Sequence, residues 1–304
     1  MPELPEVTTT VGGLNKTLPQ LIIRNVWTDY FLNTKHKRKD NIKNKTYFEK
    51  FRKEIVGKKV ITAERRGKNI LINLTRGKTI LIHMKMTGHL LYGKYKRISK
   101  KRQKKWIPTE KGLLQDSFNQ FIHLVFSLSN GKHLAFSDMR KFGKVFLFDT
   151  KNKEFIADLH LLGPEPLDHL AFPKFKERLL LRSSGKIKQV LMDQTIIAGI
   201  GNIYSDEILW QASIHPEGKV REISDLKMKT VWRTMKKILV KGVMMGGDSM
   251  SDYRNIHGER GSFQKSHMAY RRAGQKCLRR GCPGTIIRKK VGGRSAHFCD
   301  THQI

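Results

Sequence analysis

Short apolar runs separated by polar turns dominate the first half of the chain. The runs are rich in Ile, Val and Leu, and they cover residues 21–26, 59–63, 69–74, 79–83, 122–128, 133–136 and 144–148. Runs of this kind are typical of antiparallel strands, and Ser129-Asn130-Gly131 is typical of a hairpin turn. Residues 7–18 have helical spacing instead. We therefore expect a β-sandwich or barrel-like first half with one flanking helix.

The second half of the chain changes to helical spacing. The predicted helices cover residues 173–181, 186–193, 203–212 and 224–243. The apolar turn before the third helix contains Gly199 and Gly201, so that backbone N–H groups and a helix N-terminus meet on one surface, an arrangement that binds anions. We expect Asn202 to cap this helix and Lys188 to add a positive charge. An ordinary helical hairpin is the alternative.

All three cysteines lie near the C-terminus, in the pattern Cys277-x4-Cys282-x16-Cys299-x2-His302. Three thiolates and one imidazole suit tetrahedral zinc, and two short-spaced pairs around a hairpin-sized insert are typical of a zinc ribbon. We therefore expect one zinc ion per chain. The two strands of the ribbon are predicted at 286–290 and 297–298, with Arg294 near the turn.

These changes of pattern divide an α+β protein into three predicted domains. Residues 1–150 form the β-sandwich domain, 151–264 the helical domain and 265–304 the zinc finger. The charged segment 149–154 is the expected linker. A chain of 304 residues is long enough for two cores and a small appendage.

The charge of the chain points to an anionic partner. Lys and Arg number 60 against 26 Asp and Glu, which gives a formal net charge of +34. Such a charge repels itself unless a polyanion neutralises it, so nucleic acid is the first candidate and a membrane surface the second. No segment has the length of a transmembrane helix, and the N-terminus lacks a signal-peptide pattern. We therefore expect a cytoplasmic protein.

The first six residues, Met1-Pro2-Glu3-Leu4-Pro5-Glu6, carry candidate chemistry. Removal of Met1, which a small second residue allows, would make Pro2 a secondary amine that can attack a carbonyl-like carbon. Glu3 and Glu6 would divide acid and base roles beside it. The alternative is a frayed acidic terminus.

Three further segments carry side chains suited to nucleic acid. Arg65-Arg66-Gly67-Lys68 lies between two strands, and its alternative is a solvated, inert hairpin tip. Met86 beside a glycine turn is either core filler or a flexible apolar wedge. Arg140 and Phe142 are two apart in a loop, so an extended loop would point both toward an orphaned base.

Residues 93–111 contain nine Lys and Arg residues with two aromatic residues, Tyr95 and Trp106, among them. We interpret this segment as an inserted basic loop. It either binds phosphates non-specifically or is a solvated excursion of the chain.

Together these motifs resemble the formamidopyrimidine-DNA glycosylase family over essentially the whole chain. The matching segments are PELPEV at 2–7, RRGK at 65–68, IHMKMTG at 82–88, SDMRKFG at 137–143, LGPEPL at 162–167, LMDQTIIAGIGNIYSDE at 191–207, the glycine pair at 246–247 and the cysteine tail. The resemblance implies a base-excision enzyme with glycosylase and AP-lyase activities on 8-oxoguanine and ring-opened purines. It also implies a β-sandwich, a helix-two-turn-helix domain and a zinc finger that hold damaged double-stranded DNA. We expect a monomer associated with the nucleoid.

The resemblance further implies a role for each candidate residue. Pro2 would be the Schiff-base nucleophile at C1′, and Glu3 a proton donor. Lys68 and Arg294 would donate protons for β- and δ-elimination. The implied DNA contacts are phosphates for Lys188 and Asn202, and the vacated base stack for Met86, Arg140 and Phe142.

Three features depart from the family pattern. The finger has a four-residue first gap and ends in His302 instead of a fourth cysteine, Phe121 stands where the family often has a histidine, and the insertion at 93–111 has no clear equivalent.

Two other functions compete with this interpretation. An endonuclease VIII-like enzyme for oxidised pyrimidines is disfavoured because Leu4 stands where that group usually has Gly. A basic zinc-ribbon protein that binds nucleic acid without chemistry would need neither a terminal secondary amine nor adjacent carboxylates.

Overall fold

The structure, a computed structural model, describes residues 1–31, 41–100 and 103–303. The chain forms two compact units, one of Met1–Ile156 with Gly246–Ser262 and one of Ala157–Met245 with Phe263–Ile304. The glycine pair at 246–247 and the polar loop after it therefore belong to the first unit. The predicted domain boundaries at 150 and 264 stay predictions.

Short strands fill the first unit and helices most of the second. The helices are α1 (Leu4–Thr17), α2 (Lys45–Ile55), α3 (Ala157–His160), α4 (Phe172–Leu180), α5 (Ile187–Met192), α6 (Asn202–Ala212) and α7 (Asp225–Met244). The strands are β1 (Ile23–Thr28), β2 (Val60–Arg66), β3 (Asn69–Leu74), β4 (Lys78–His83), β5 (His89–Gly93), β6 (Tyr95–Lys100), β7 (Gln103–Pro108), β8 (Ile122–Leu128), β9 (His133–Ser137), β10 (Lys144–Asp149), β11 (Ile286–Val291) and β12 (Arg294–Cys299).

Two four-stranded antiparallel sheets form the first unit, with strand orders β1-β8-β9-β5 and β10-β4-β3-β2. Apolar side chains from both sheets share one buried core with α1 and α2. Alternation along β3 supplies Ile70 and Ile72 to this core, opposite Ile82 and Ile80 of β4. The predicted β-sandwich is confirmed.

Helix α1 begins at Leu4, earlier than its apolar spacing predicts. Glu3 is the N-cap and forms a capping box with Glu6, and a proline lies in the first turn, where an N–H is not needed. Val7, Val11 and Leu14 follow at helical spacing and face the sandwich core. Apolar periodicity alone places the start of this helix too late, because charged residues interrupt the pattern in the first turn.

Most of the described residues of 93–111 lie in the paired strands β6 and β7, so the interpretation of this insertion as a loop is wrong. Strands β6 and β7 pair antiparallel, and Lys101 and Arg102 of this segment lie outside the described residues. The hairpin forms because Tyr95 and Trp106 pack on a second, smaller apolar core that includes Val125 of β8. The lysines between the aromatic residues concealed the strand pattern.

The second unit packs helices beside a small hairpin. Helix α6 packs against α5, α7 and β12. Helix α7 follows Ser224, whose side chain accepts a hydrogen bond from the Lys227 N–H. Strands β11 and β12 are joined by Gly292 and Gly293, both with positive φ, as a tight two-residue turn requires. The predicted α+β class, with helices and a C-terminal hairpin in this half, is confirmed.

The expected linker at 149–154 is mostly a 3-10 helix, Thr150–Phe155. Within residues 1–31, 41–100 and 103–303, no helix combines the length and the apolar character that crossing a membrane demands.

Candidate functional site

The N-terminal residues are buried and held by hydrogen bonds. Pro2 is buried, and Glu3 is only 2 % exposed. The two carboxylate oxygens of Glu6 accept from the backbone N–H groups of Glu3 (2.7 Å) and Asp248 (2.7 Å). The Tyr253 hydroxyl donates to the Glu6 carbonyl (3.0 Å). The terminus is therefore not frayed, and Glu6 clamps it to the loop at 246–262.

The glycine pair makes this clamp possible. Gly247 has a φ of +83°, and a Cβ added there would lie 2.8 Å from Cγ and Oε1 of Glu6. Only glycine satisfies both the conformation and the close approach. Because both oxygens of Glu6 accept from backbone donors, its contacts favour a positioning role over the acid–base role that the sequence suggested.

Lys68 lies at the turn between β2 and β3 and is 5 % exposed. It follows Gly67, which has a φ of +56° and whose carbonyl accepts from the Arg65 guanidinium (3.2 Å). A lysine is seldom buried, because removing its ammonium group from water is costly. A solvated, inert tip therefore does not describe this turn.

Asp138 joins the two loops that carry the candidate base-stack residues. Its fully buried carboxylate accepts from the Tyr30 hydroxyl (2.8 Å), the Thr87 hydroxyl (2.6 Å) and the Gly143 N–H (2.7 Å). The Thr87 oxygen in turn accepts from the Arg140 N–H (3.1 Å). Burial and the Asp138 charge raise the pKa of Tyr30 well above its ordinary value, so the phenol remains a donor.

The side chains on these two loops are exposed. Met86 is 37 % and Phe142 48 % exposed, and the Arg140 guanidinium lies 4.4 Å from the centroid of the Phe142 ring. Lys85 and Lys141, beside them in the chain, have φ values of 55° and 52°, which cost energy in a residue with a Cβ. The structure thus presents the predicted wedge residues on strained loops that a buried carboxylate holds together.

Lys188 lies in a buried ion pair and not on an exposed anion site. It is 0 % exposed, donates to the Ser205 hydroxyl (3.2 Å) and pairs with one oxygen of Asp206. The other Asp206 oxygen accepts from the His297 N–H (3.0 Å) and lies 3.0 Å from its Nδ1. Asp206 therefore links α5 and β12 to helix α6.

The expectation that Asn202 caps helix α6 is wrong. Gly201 is the N-cap and provides no side-chain hydrogen bond, while Asn202 is the first residue of the helix. The Asn202 Oδ1 atom is buried and has no hydrogen-bond partner in the part of the chain that the structure describes. A buried polar atom without a partner is costly. The Asn202 amide oxygen therefore remains able to accept a hydrogen bond at the N-terminus of α6.

Cys277, Cys282, Cys299 and His302 form a cluster whose ligand atoms all lie within 4.8 Å of one another. Cys282 Sγ is 3.6 Å from Cys299 Sγ, and His302 Nδ1 is 3.4 Å from Cys277 Sγ and 3.7 Å from Cys282 Sγ. The other ring nitrogen of His302 lies 3.2 Å from the Trp210 carbonyl. A proton on that nitrogen leaves Nδ1 available, so the four residues could hold a metal ion.

Arg294 is exposed at the start of β12. The turn before it lies against α5, since a Cβ on Gly292 would be 1.9 Å from the side-chain nitrogen of Gln189. The close approach leaves no room for a side chain at Gly292, while Arg294 is exposed to solvent.

Comparison with known proteins identifies the family. The chain matches the description "Formamidopyrimidine-DNA glycosylase N-terminal domain" over residues 1–145 and "Formamidopyrimidine-DNA glycosylase H2TH domain" over residues 162–254. It is 36% identical over 303 residues to the formamidopyrimidine-DNA glycosylase of Pelotomaculum thermopropionicum, covering 100% of this chain and 99% of the relative. The Bacillus subtilis enzyme is 34% identical, with 98% of each chain covered. This chain belongs to the formamidopyrimidine-DNA glycosylase family.

Solved structures of this glycosylase family have the same fold. A Lactococcus lactis FPG variant in complex with Fapy-dG containing DNA matches with a TM-score of 0.81 at 30% identity, covering 98% of each chain. L. lactis Fpg with abasic-site DNA matches with a TM-score of 0.81 at 30% identity, covering 98% of this chain and 97% of that one. MutM with DNA containing carbocyclic 8-oxo-G matches with a TM-score of 0.80 at 30% identity, with 98% of each chain covered.

Sequence reasoning missed the acidic residues that hold this family member's segments in place. Glu207 is buried in α6, and its carboxylate accepts from the N–H groups of Met268 (2.8 Å), Ala269 (3.0 Å) and Tyr270 (2.8 Å). These bonds fix the segment that leads into the cysteine hairpin. Glu207 and Asp138 both lie in the motifs that match the family, at 191–207 and 137–143. An acidic residue within an apolar or basic motif of a strongly basic chain was the signal that could have identified them.

Replacing Asp138 by Asn should lower the free energy of unfolding by about 2–4 kcal/mol, because an amide cannot accept all three hydrogen bonds and leaves a buried donor without a partner. Hydrogen exchange at the Gly143 amide should also become faster. Chemical denaturation and exchange mass spectrometry measure the two effects. The control is Asp168→Asn at an exposed position, where we expect a change under about 0.5 kcal/mol. Equal changes in the two variants would contradict the role of Asp138.

Proposed function

We propose that this family member excises oxidised purines, including 8-oxoguanine and formamidopyrimidines, from double-stranded DNA and then cleaves the strand at the abasic site. The observation that carries the proposal is the buried terminus, in which the Glu6 clamp holds Pro2 and Glu3 in a fixed position. Relatives solved with Fapy-dG, 8-oxo-G analogue or abasic-site DNA support the choice of substrate. Binding of nucleic acid alone needs no such terminus.

Pro2 is the proposed nucleophile after removal of Met1. With Met1 attached the Pro2 nitrogen is an amide, and Met1 itself is exposed. The freed secondary amine attacks C1′ of the damaged nucleotide and displaces the base, which leaves with the bonding electron pair and takes up the proton that the amine loses. The nitrogen lone pair then expels O4′ of the sugar, which accepts a proton from Glu3. The product is an iminium that joins Pro2 to C1′.

Lys68 and Arg294 are the proposed proton donors of the elimination steps that follow. Loss of a proton from C2′ expels the 3′ phosphate in β-elimination, and a second elimination expels the 5′ phosphate. The burial of Lys68 beside a glycine turn supports a chemical role, because lysines that a fold keeps out of water are often found at functional sites. The exposure of Arg294 beside the turn of the β11–β12 hairpin supports its contact with a nucleic acid.

Met86, Arg140 and Phe142 are proposed to fill the gap that an extruded nucleotide leaves in the stack. Their exposure on anchored loops supports this role. Asn202 and the N-terminus of α6 are proposed to bind the phosphates of that nucleotide. The buried pair with Asp206 favours a role for Lys188 in positioning these elements.

Zinc is the proposed metal of the Cys277, Cys282, Cys299 and His302 cluster. Tetrahedral Zn–S bonds of about 2.3 Å and Zn–N bonds of about 2.0 Å imply S–S and S–N separations of roughly 3.5–3.8 Å. The three sulfur–sulfur and sulfur–nitrogen distances above, 3.4–3.7 Å, fit this donor set. When bound, the ion would supply structural cross-linking and no reaction step.

Protein purified in the absence of chelators should contain about one zinc ion per chain. His302→Ala should lower this content and weaken DNA binding more than it slows cleavage of a pre-formed abasic site. Elemental analysis and binding titrations provide the measurements, with His169→Ala at an exposed histidine as the control. Much less than one equivalent of zinc in the unaltered protein would overturn the assignment.

Phe142→Ala should slow excision of 8-oxoguanine by about tenfold or more and cleavage of a pre-formed abasic site by less than about threefold. The reason is that refilling the stack offsets an extrusion cost of a few kcal/mol, which is smallest where the base is already absent. Single-turnover assays on the two duplexes give the comparison. Met139→Ala, an exposed apolar residue of the same loop, is the matched control. Equal slowing on both duplexes would assign Phe142 a different role.

Protein that begins at Pro2 should form a covalent adduct with 8-oxoguanine duplex when borohydride reduces the iminium, and Pro2→Gly should form less. Glu3→Gln should retain DNA binding but slow excision by about 10²-fold or more, since general-acid catalysis contributes that much. Peptide mass spectrometry of the adduct locates the bond. A bond at Lys68 or another lysine, with full activity in protein that retains Met1, would rule out this mechanism.

A further inference from the structure

A cavity of about 700 Å³ lies between the β6–β7 hairpin and the outer face of the β1-β8-β9-β5 sheet. Its wall includes Trp27, Arg97, Lys105, Trp106, Phe121 and Lys141. Its volume falls within the range of about 300–1,000 Å³ that is usual for ligand sites. The cavity depends on the hairpin, the insertion to which the proposed function assigns no role.

The wall of this cavity contains an aromatic pair. The rings of Trp27 and Trp106 lie 6.0 Å apart at 57°, and both residues pack on the small apolar core beneath the hairpin. Both are only partly buried. The Arg97 guanidinium lies 5.3 Å from the centroid of the Trp27 ring. Partly exposed indole side chains beside a guanidinium are typical of surfaces on which unpaired nucleobases stack.

The charges around the aromatic pair favour an anion. Arg97 and Lys105 are exposed, and neither is in an ion pair within the part of the chain that the structure describes. Among the described residues of the wall, Asp29 is the one carboxylate, and it contacts His123 (2.7 Å) and Lys141 (3.5 Å), so its charge is already opposed. The cavity therefore has an excess of positive charge next to its stacking surface.

The cavity adjoins the loop that carries the proposed wedge. Lys141, which lines the cavity, lies between Arg140 and Phe142 in the chain. Its ammonium group donates to the Asp29 carbonyl (3.0 Å), which ties the loop to the end of strand β1. A strand that contacts the loop thus has a short path into the cavity.

We propose that this cavity binds a segment of single-stranded DNA, with an unpaired base against Trp27 and Trp106 and phosphates on Arg97 and Lys105. The site goes beyond the proposed function, which concerns a damaged duplex. Base pairing hides the faces of bases in a duplex, and an acidic peptide would make no use of the paired indoles. An unpaired strand uses both the aromatic and the cationic parts of the wall.

The test measures binding of full-length protein to a fluorescein-labelled, lesion-free oligothymidine of twelve nucleotides over a series of salt concentrations. The double variant Arg97→Ala/Lys105→Ala should lose affinity by about tenfold or more, and its slope of log K against log salt should fall by about 1.4, the value for two phosphate contacts on a single strand. Binding should quench tryptophan fluorescence in the unaltered protein, and Trp106→Phe should reduce that quenching.

The matched control is Lys94→Ala/Lys96→Ala, which removes the same charge from exposed positions of the same hairpin outside the cavity wall. It should change the affinity by less than about twofold. Cleavage of a short abasic-site duplex should be unchanged in both double variants, which shows that they remain folded and separates this site from the proposed function. Equal losses in the two double variants, or binding without quenching, would indicate general attraction by charge and overturn the proposal.

The same titration with an RNA oligomer of twelve nucleotides tests the choice of DNA. Tighter binding of RNA than of DNA would contradict that choice.

Discussion

Buried carboxylates that accept several hydrogen bonds hold three of the candidate functional segments of this protein in place. Glu6 holds the N-terminus to the glycine pair, Asp138 holds the two wedge loops, and Asp206 and Glu207 hold the segments around the cysteine hairpin. Each of these carboxylates is buried, so each hydrogen bond that it failed to accept would cost free energy. Such a centre specifies one arrangement of an irregular segment, whereas apolar contacts tolerate several.

This use of acidic residues fits the charge of the chain. Only 26 acidic residues accompany 60 Lys and Arg. Six acidic residues are buried in the described part of the chain, and four of these, Glu6, Asp138, Asp206 and Glu207, accept hydrogen bonds from backbone N–H groups. The negative charge of these four carboxylates is directed at internal hydrogen-bond donors and does little to neutralise the positive charge of the surface. The surface consequently attracts a polyanion at long range, while the buried carboxylates fix the groups that are proposed to act on it at short range.

The sequence predicted elements more reliably than contacts. Strand β3 was predicted with its observed bounds because its apolar run ends at polar turns, and the metal cluster was predicted because its ligands are close in the chain. The β6–β7 hairpin was missed because lysines interrupt its pattern. The burial of Lys188 could not be predicted, since its partner Asp206 is brought to it only by the packing of α5 on α6. Local spacing does not encode such pairings.

Exposed apolar side chains and strained backbone would normally weaken a loop, yet this protein combines both on the segment from Asp138 to Gly143. The strain at Lys141 and the exposure of Phe142 persist because the Asp138 hydrogen bonds at both ends of the segment outweigh them. A rigid loop loses little conformational entropy when its side chains enter a base stack, so more of the contact energy remains available for extruding a nucleotide. In the proposed reaction, the interior of the sandwich would thus support the extrusion of a nucleotide through the loop that it anchors.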